Sequence, residues 1–311
     1  MTTLIHEPQS RSFLNTHPRT RALERTPRET ARQDQPHISA SQLRSYAGCP
    51  LAWRLSRTHR PEHIPAALIF GSAFHAAAER FYQMRLEGKT AAFNDLMEAY
   101  DAKWQERGEA GDGGTPPPVK FPAKTGPMEL RQTAVRMLEA FLAHANANAG
   151  EVIAVEEEFL APMAPGLPAL KGRIDLVEIR TAPSGNRRLH LVDFKTAAKR
   201  MRPEDIDRDQ MDLYALALRR TGLLDELQLP LVLRVDMVTK VKEPEVIPVD
   251  IPPDKNNEKR VIAKAREIWK CMASGVCYPA PSWQCGTCGY KTLCGKWPDI
   301  PESTGRQDHV Q

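Results

Sequence analysis

The chain has 311 residues, with 41% hydrophobic and 26% charged residues and a formal charge of +4. That length can bury a substantial core, and the composition fits a globular fold rather than a disordered, collagenous or membrane-spanning chain. No run approaches the roughly 20 apolar residues of a bilayer span, and no apolar signal core opens the sequence, so a cytoplasmic protein with no membrane partner is expected. The mild positive charge permits a nucleic-acid partner without arguing for one.

In chain order, residues 1–36 are rich in Arg, Thr, Glu, Gln and Pro and lack apolar periodicity, which predicts a disordered tail. Ser39 or Ser41 suits the cap of a short helix ending near Tyr46, and Leu51 to Arg57 suits a second helical turn. Residues 66–148 read as mainly helical. A long helix is expected over Ala66–Glu87, with Phe70, Phe74, Ala77, Phe81 and Met84 along one stripe. Helices over 91–107 and 128–146 follow, separated by a Gly/Pro-rich loop over 108–127. Strands are expected over 152–160, 170–179 and 189–195. Then come a helix over 203–220, a strand over 231–239, an edge strand over 246–251 and a basic helix over 255–274. This order implies a 151–251 core and a 255–298 C-terminal segment, and the polar residues 299–311 read as a second tail. Helices, three strands, a helix and a strand fit an α/β sandwich around a mixed sheet.

The chemistry gathers in two short strands. Gly172-Arg173-Ile174-Asp175 lies in one, and Leu191-Val192-Asp193-Phe194-Lys195 in the next. Pro183-Ser184-Gly185 and the residues after it form a turn, so the two strands pair as an antiparallel hairpin. Side chains alternate along a strand, which puts Asp193 and Lys195 on one face. Two carboxylates and an ammonium then meet at one spot. Carboxylates suit a hard cation such as Mg2+ or Mn2+, and a cation there can clamp a phosphate and activate water. An Asp and a Lys two apart are also a common surface ion pair. One of Glu156, Glu157 and Glu158 can approach the metal through water, but three adjacent acids cannot share one strand face, and a solvated edge is the preferred expectation.

Upstream, Gly71-Ser72-Ala73-Phe74-His75 opens a helical run; downstream, Gln210-Met211-Asp212-Leu213-Tyr214 lies on another. The ordered set G-x-x-x-H, G-x-x-D, D-x-K and Q-x-x-x-Y resembles the RecB-type nucleases of the PD-(D/E)xK superfamily. The likeness runs from about Ile38 to Trp297, with Ile174 where the superfamily's name has proline. It implies a restriction-endonuclease-like mixed sheet flanked by helices, with an N-terminal helical insertion, within a nuclease domain over 37–298. It also implies a metal-dependent DNA exonuclease acting on single strands or duplex ends, in repair, recombination or CRISPR adaptation. Asp175 and Asp193 would hold Mg2+ or Mn2+ with His75 and the Phe194 carbonyl. Lys195 would orient the attacking water, and Gln210 and Tyr214 would contact nucleic acid or position Lys195. No G-x-x-x-x-G-K-[ST] P-loop is present, so duplex unwinding would need a helicase or a recombination or adaptation partner. The alternative is a non-cleaving nucleic-acid-binding or adaptor subunit.

Six cysteines stand in a chain with no secretory signal, which points to metal before disulfides. Cys285, Cys288 and Cys294 form C-x2-C-x5-C. Spacing alone puts zinc ahead of iron–sulfur and leaves the fourth ligand open among Cys49, Cys271 and Cys277. The resemblance extends to the iron–sulfur members, the AddB subunit and the nucleases of CRISPR adaptation modules. They carry one cysteine before the G-x-x-x-H helix and three after the core. That implies a [4Fe–4S] cluster on Cys49, Cys285, Cys288 and Cys294, stapling both ends of the domain. Cys271 and Cys277 are then expected to be buried small hydrophobes.

Overall fold

The structure is a computed structural model that describes residues 36–106, 115–148, 150–200, 202, 204 and 206–300. All but the last residue of the expected 1–36 tail, most of the 299–311 tail and part of the 108–127 loop lie outside those residues.

Local chemistry fixes the first elements. The two-residue strand β1 (His37–Ile38) leads into α1 (Ala40–Gly48), where Ser39 and Gln42 cap each other's backbone N–H groups. Helix α2 (Pro50–Thr58) starts with Pro50, whose missing N–H is harmless in a first turn. A short parallel pair, β2 (Ile64–Pro65) and β3 (Val119–Lys120), brackets two helices. These are α3 (Ala66–Leu86) and α4 (Phe93–Glu106), and α5 (Pro127–Asn148) follows.

The main sheet has six strands. β4 (Glu151–Ala161), β5 (Ala169–Thr181) and β6 (Arg187–Ala197) form an antiparallel meander. The chain then crosses through α6 (Arg208–Thr221) and α7 (Leu223–Leu227) to β7 (Leu231–Thr239), which runs parallel to β6. β8 (Val246–Ile251) closes the edge antiparallel to β7, and α8 (Lys255–Ala273) follows. The last element is α9 (Lys291–Cys294). The expected helix over 203–220 begins later, at Arg208, where Asp207 caps it by accepting the Gln210 N–H.

Helices cover both faces of the sheet. On one, Leu43, Leu213, Leu216 and Val261 of α1, α6 and α8 pack on Leu189, Leu191 and Val235. On the other, Phe70, Phe74, Phe81, Leu96 and Phe141 of α3, α4 and α5 pack on Leu176, Val192, Phe194 and Val238. The mixed sheet flanked by helices is thus a three-layer α/β/α arrangement. Among the described residues no helix is long and apolar enough to cross a membrane.

One topological detail positions the site. β4 pairs with one edge of β5, up to Ala161 opposite Leu170. β1 also pairs at Ala169 and Leu170, so it occupies the other edge, the one β6 uses further along. The β5–β6 ladder ends at Leu176 opposite Val192. Residues 171–175 therefore face an opening between β1 and β6.

Candidate active site

Asp175 and Asp193 stand one step beyond the last β5–β6 pair, where the strands part. The Phe194 N–H, which has lost its ladder partner, donates to Asp175 Oδ2 at 2.8 Å. A side-chain carboxylate thereby replaces a backbone carbonyl and holds the splayed strands together. The Phe194 ring anchors β6 from below, stacked on Tyr82 at 5.7 Å and edge-on to Phe141 at 5.8 Å. Alternation then sends Asp193 and Lys195 to the opposite face.

On that face Lys195 Nζ donates to Asp193 Oδ1 at 3.0 Å. It also lies 2.7 Å from Asp193 Oδ2, but off the line of a hydrogen bond, so Oδ2 is buried with no directed donor. The Asp193 residue is 1% exposed. Gln210 bridges the group. Its Nε2 donates to Asp193 Oδ1 at 2.8 Å and to Tyr214 Oη at 3.1 Å, while its Oε1 lies 3.5 Å from Lys195 Nζ. Gln210 and Tyr214 are one turn apart on α6 and so face the same way. Tyr214 is buried, and its hydroxyl pKa is raised by that burial and then by the two aspartates.

The second half of the site comes from α3 and β4. His75 Nδ1 is 3.3 Å from Asp175 Oδ2. Ligand atoms of His75, Glu156 and Asp175 all lie within 4.8 Å of one another. Burial lowers the His75 pKa against the pull of Asp193, favouring the neutral imidazole that binds metals. His75 also hydrogen-bonds the Phe194 backbone. Burial first, then Asp193, pushes Asp175 up to about 8; burial first, then Asp175 and Glu79, pushes Glu156 up to about 7. Acids so crowded and dry call for a counter-charge.

One expectation needs correction. Glu156 is not on a solvated edge. Its backbone is left-handed, at φ 49°, and this kink in β4 turns the side chain inward, leaving it 14% exposed. Glu158 keeps the solvated role and pairs with Arg173 at 2.9 Å. The pattern E-E-E offers no glycine to mark the kink, so no sequence signal pointed to it. Asp175 gathers with His75 and Glu156, and Asp193, whose charge bears on Asp175 most strongly of any neighbour, stands beside that set, held by Lys195 and Gln210.

Cys49, Cys285, Cys288 and Cys294 line one shared cavity with Leu51, Leu55 and Tyr290. Cys49 Sγ accepts the Ala52 and Ala280 N–H groups at 3.4 Å each, and Cys285 Sγ accepts that of Ser282 at 3.3 Å. Burial first, then the thiols of Cys49, Cys288 and Cys285, raises the Cys294 pKa. Among the described residues no three cysteine sulfurs come within 4.8 Å of one another. Cys271 and Cys277 lie outside this cavity and are half-buried, Cys271 packing against the core as a small hydrophobe.

Among solved structures the chain is similar to a candidate exonuclease from Eubacterium rectale. Identity is 13% over 86% of this chain and 91% of that one, with a TM-score of 0.39. It is also similar to the protein SSO0001, at 11% identity over 89% of this chain and 99% of that one, with a TM-score of 0.31. Both superpositions are loose. No curated protein matches the sequence significantly. A family model describing the PD-(D/E)XK nuclease superfamily matches residues 37–295. That match spans the sheet, both helical layers and the splayed strands with their acids, and the chain belongs to the PD-(D/E)XK nuclease superfamily.

Proposed function

We propose that the protein is a metal-dependent DNA exonuclease acting on single strands or duplex ends, in repair, recombination or CRISPR adaptation. The observation that carries this is the convergence of His75, Glu156 and Asp175 beside the Asp193–Lys195–Gln210 group. The donor set, one neutral imidazole and carboxylates, fits Mn2+ or Mg2+. So does the undirected buried oxygen Asp193 Oδ2. His75, Glu156 and Asp175 would hold the ion, with Asp193 and the Phe194 carbonyl on the β6 side. Bound there, a divalent cation polarises a phosphate and lowers the pKa of an attacking water. Lys195 would place its amino group beside that position, where it would orient the water and balance charge growing on the phosphate. Gln210 fixes Asp193 and Lys195 relative to each other, and Tyr214 floors the site beneath Gln210.

The test uses purified protein, Mn2+ or Mg2+, and end-labelled single- and double-stranded DNA. Wild type should release nucleotides from ends, and soluble Asp193→Asn and Lys195→Ala proteins should not. Binding without cleavage by the wild type, metal present, would instead support a non-cleaving adaptor.

The shared cysteine cavity supports a second proposal, that Cys49, Cys285, Cys288 and Cys294 hold a [4Fe–4S] cluster. The choice of cluster over zinc rests on the resemblance to the iron–sulfur members; backbone N–H donors already point at two of the sulfurs, as around iron–sulfur thiolates. When bound, such a group supplies folding free energy by joining residue 49 to residues 285–294. Anaerobically purified protein should be brown and contain iron; stoichiometric zinc without iron would remove the cluster.

A further inference from the structure

Lys240, just past the end of β7, belongs to none of the four motifs. Its backbone N–H donates to Ala197 O at 2.7 Å, fixing it beside the C-terminal end of β6, two residues beyond Lys195. Its ammonium lies 4.4 Å from the centroid of the Phe70 ring on α3. No acidic group pairs with it among the described residues. A half-buried ammonium supported only by an aromatic face lacks a counter-charge. Burial alone drives its pKa down to about 8.

The residue after Phe70 is Gly71. It stands inside a 21-residue helix, where glycine weakens the helix relative to alanine. Packing gives no reason for it, because a Cβ built there meets nothing within 4 Å. Gly71 is one turn before His75 and shares its face. Lys240 thus rests on the residue before Gly71, and the metal-ligand candidate His75 lies one turn after it, so both groups border the same stretch of α3.

We propose that Lys240 and the open backbone at Gly71 seat the strand phosphate next to the scissile one. The ammonium would meet the phosphate oxygens, and the missing Cβ would let the strand lie against α3. This rests on the nuclease reading and adds to it a second phosphate position that sets the strand's register.

The experiment measures steady-state cleavage by the full-length protein with Mn2+. Substrates are single-stranded oligonucleotides, unmodified or carrying one neutral methylphosphonate moved one linkage at a time. Lys240→Gln should raise KM for the unmodified strand about 10- to 100-fold, the worth of one charge-assisted contact, with kcat changed little. Its binding should lose about 0.7 of the log–log salt slope. At one linkage beside the scissile bond, methylphosphonate should weaken the wild type and leave Lys240→Gln unaffected. Lys240→Arg should recover part of the loss. Gly71→Ala should melt no lower than wild type yet raise KM. Wild-type KM and wild-type methylphosphonate sensitivity in Lys240→Gln would overturn the seat and leave the nuclease reading standing. If the wild type neither binds nor cuts any strand, the nuclease reading fails and the seat fails with it.

Discussion

The carboxylate of Asp175 accepts the backbone N–H of Phe194 at 2.8 Å across the point where two strands separate. One residue therefore closes the backbone account of the fold while facing His75 and Glu156. Asp175→Asn keeps an acceptor oxygen for Phe194 and removes a crowded negative charge. It should melt at or above the wild type while activity falls by about two to three orders of magnitude. Asp175→Ala strands a buried N–H, at a cost of about 1–3 kcal/mol, partly offset by relief of repulsion. Thermal melts of the two variants should place Asn above Ala; the reverse order would show that the hydrogen bond contributes nothing.

Glu156 holds a left-handed backbone that favours glycine. Such strain costs on the order of 1–3 kcal/mol and persists where the surroundings enforce it. Glu156→Gly should therefore fold at least as stably as the wild type in chelator but lose most of its melting gain on adding Mn2+. Glu156→Gln should keep the strain and lose the same gain. A full Mn2+ response in both variants would remove Glu156 from the ligand set.

Metal-free stability should fall as pH rises. In the folded chain Asp175 sits at about 8 and Glu156 at about 7, against unfolded values of 3.8 and 4.5. Below about pH 4 both groups are protonated in either state, and their stabilising contribution is complete. Between about pH 4 and 8 the folded chain binds more protons than the unfolded one, so stability declines with pH through the folded pKa values. In EDTA the melting temperature should drop across this window, and Asp175→Asn should flatten the drop. With Mn2+ present, the melting gain over EDTA should grow with pH. A melting temperature that rises from pH 5 to 8 in EDTA would contradict the crowding of these acids.

Cys49 caps α2 through Ala52 and accepts Ala280, so two roles overlap at one sulfur. Cys49→Ser preserves a capping oxygen and cannot complete a thiolate set. If the sulfur serves a structural metal group, Ser and Ala should both melt well below wild type and lose iron. If it serves only as a cap, Ser should melt like wild type. Differential scanning calorimetry with iron analysis on both variants separates these outcomes.

Much of the fold was legible because its signals are local. β7 and β8 have the bounds their apolar, β-branched runs suggest, and the aromatic stripe from Phe70 to Phe81 marks α3. The two-residue strands β1, β2 and β3 were not, because their partners are distant and a dipeptide carries no period. At the site, Asp175, Asp193 and Lys195 stand out by the hairpin and strand spacing, and His75, Gln210 and Tyr214 by the resemblance to the RecB-type nucleases. Their division into two neighbouring groups does not, because it depends on where β5 and β6 part. Glu156 was hidden for a related reason: its orientation comes from a backbone kink, and period-two reasoning assigned it to the wrong side.

The first helices are sealed by the last part of the domain. Tyr46 Oη donates to Val276 O at 2.5 Å, 230 residues away, and the Leu51 N–H donates to Tyr278 O at 3.0 Å. On a ribosome adding about 5–20 residues per second, that interval lasts roughly 10–45 s. Throughout it, Leu51 and Leu55, each 2% exposed in the finished fold, have no permanent cover from the C-terminal segment. The nascent chain must therefore spend that time shielded by a chaperone or collapsed on itself. Its yield in a cell should depend on translation speed more than the stability of the completed domain would suggest.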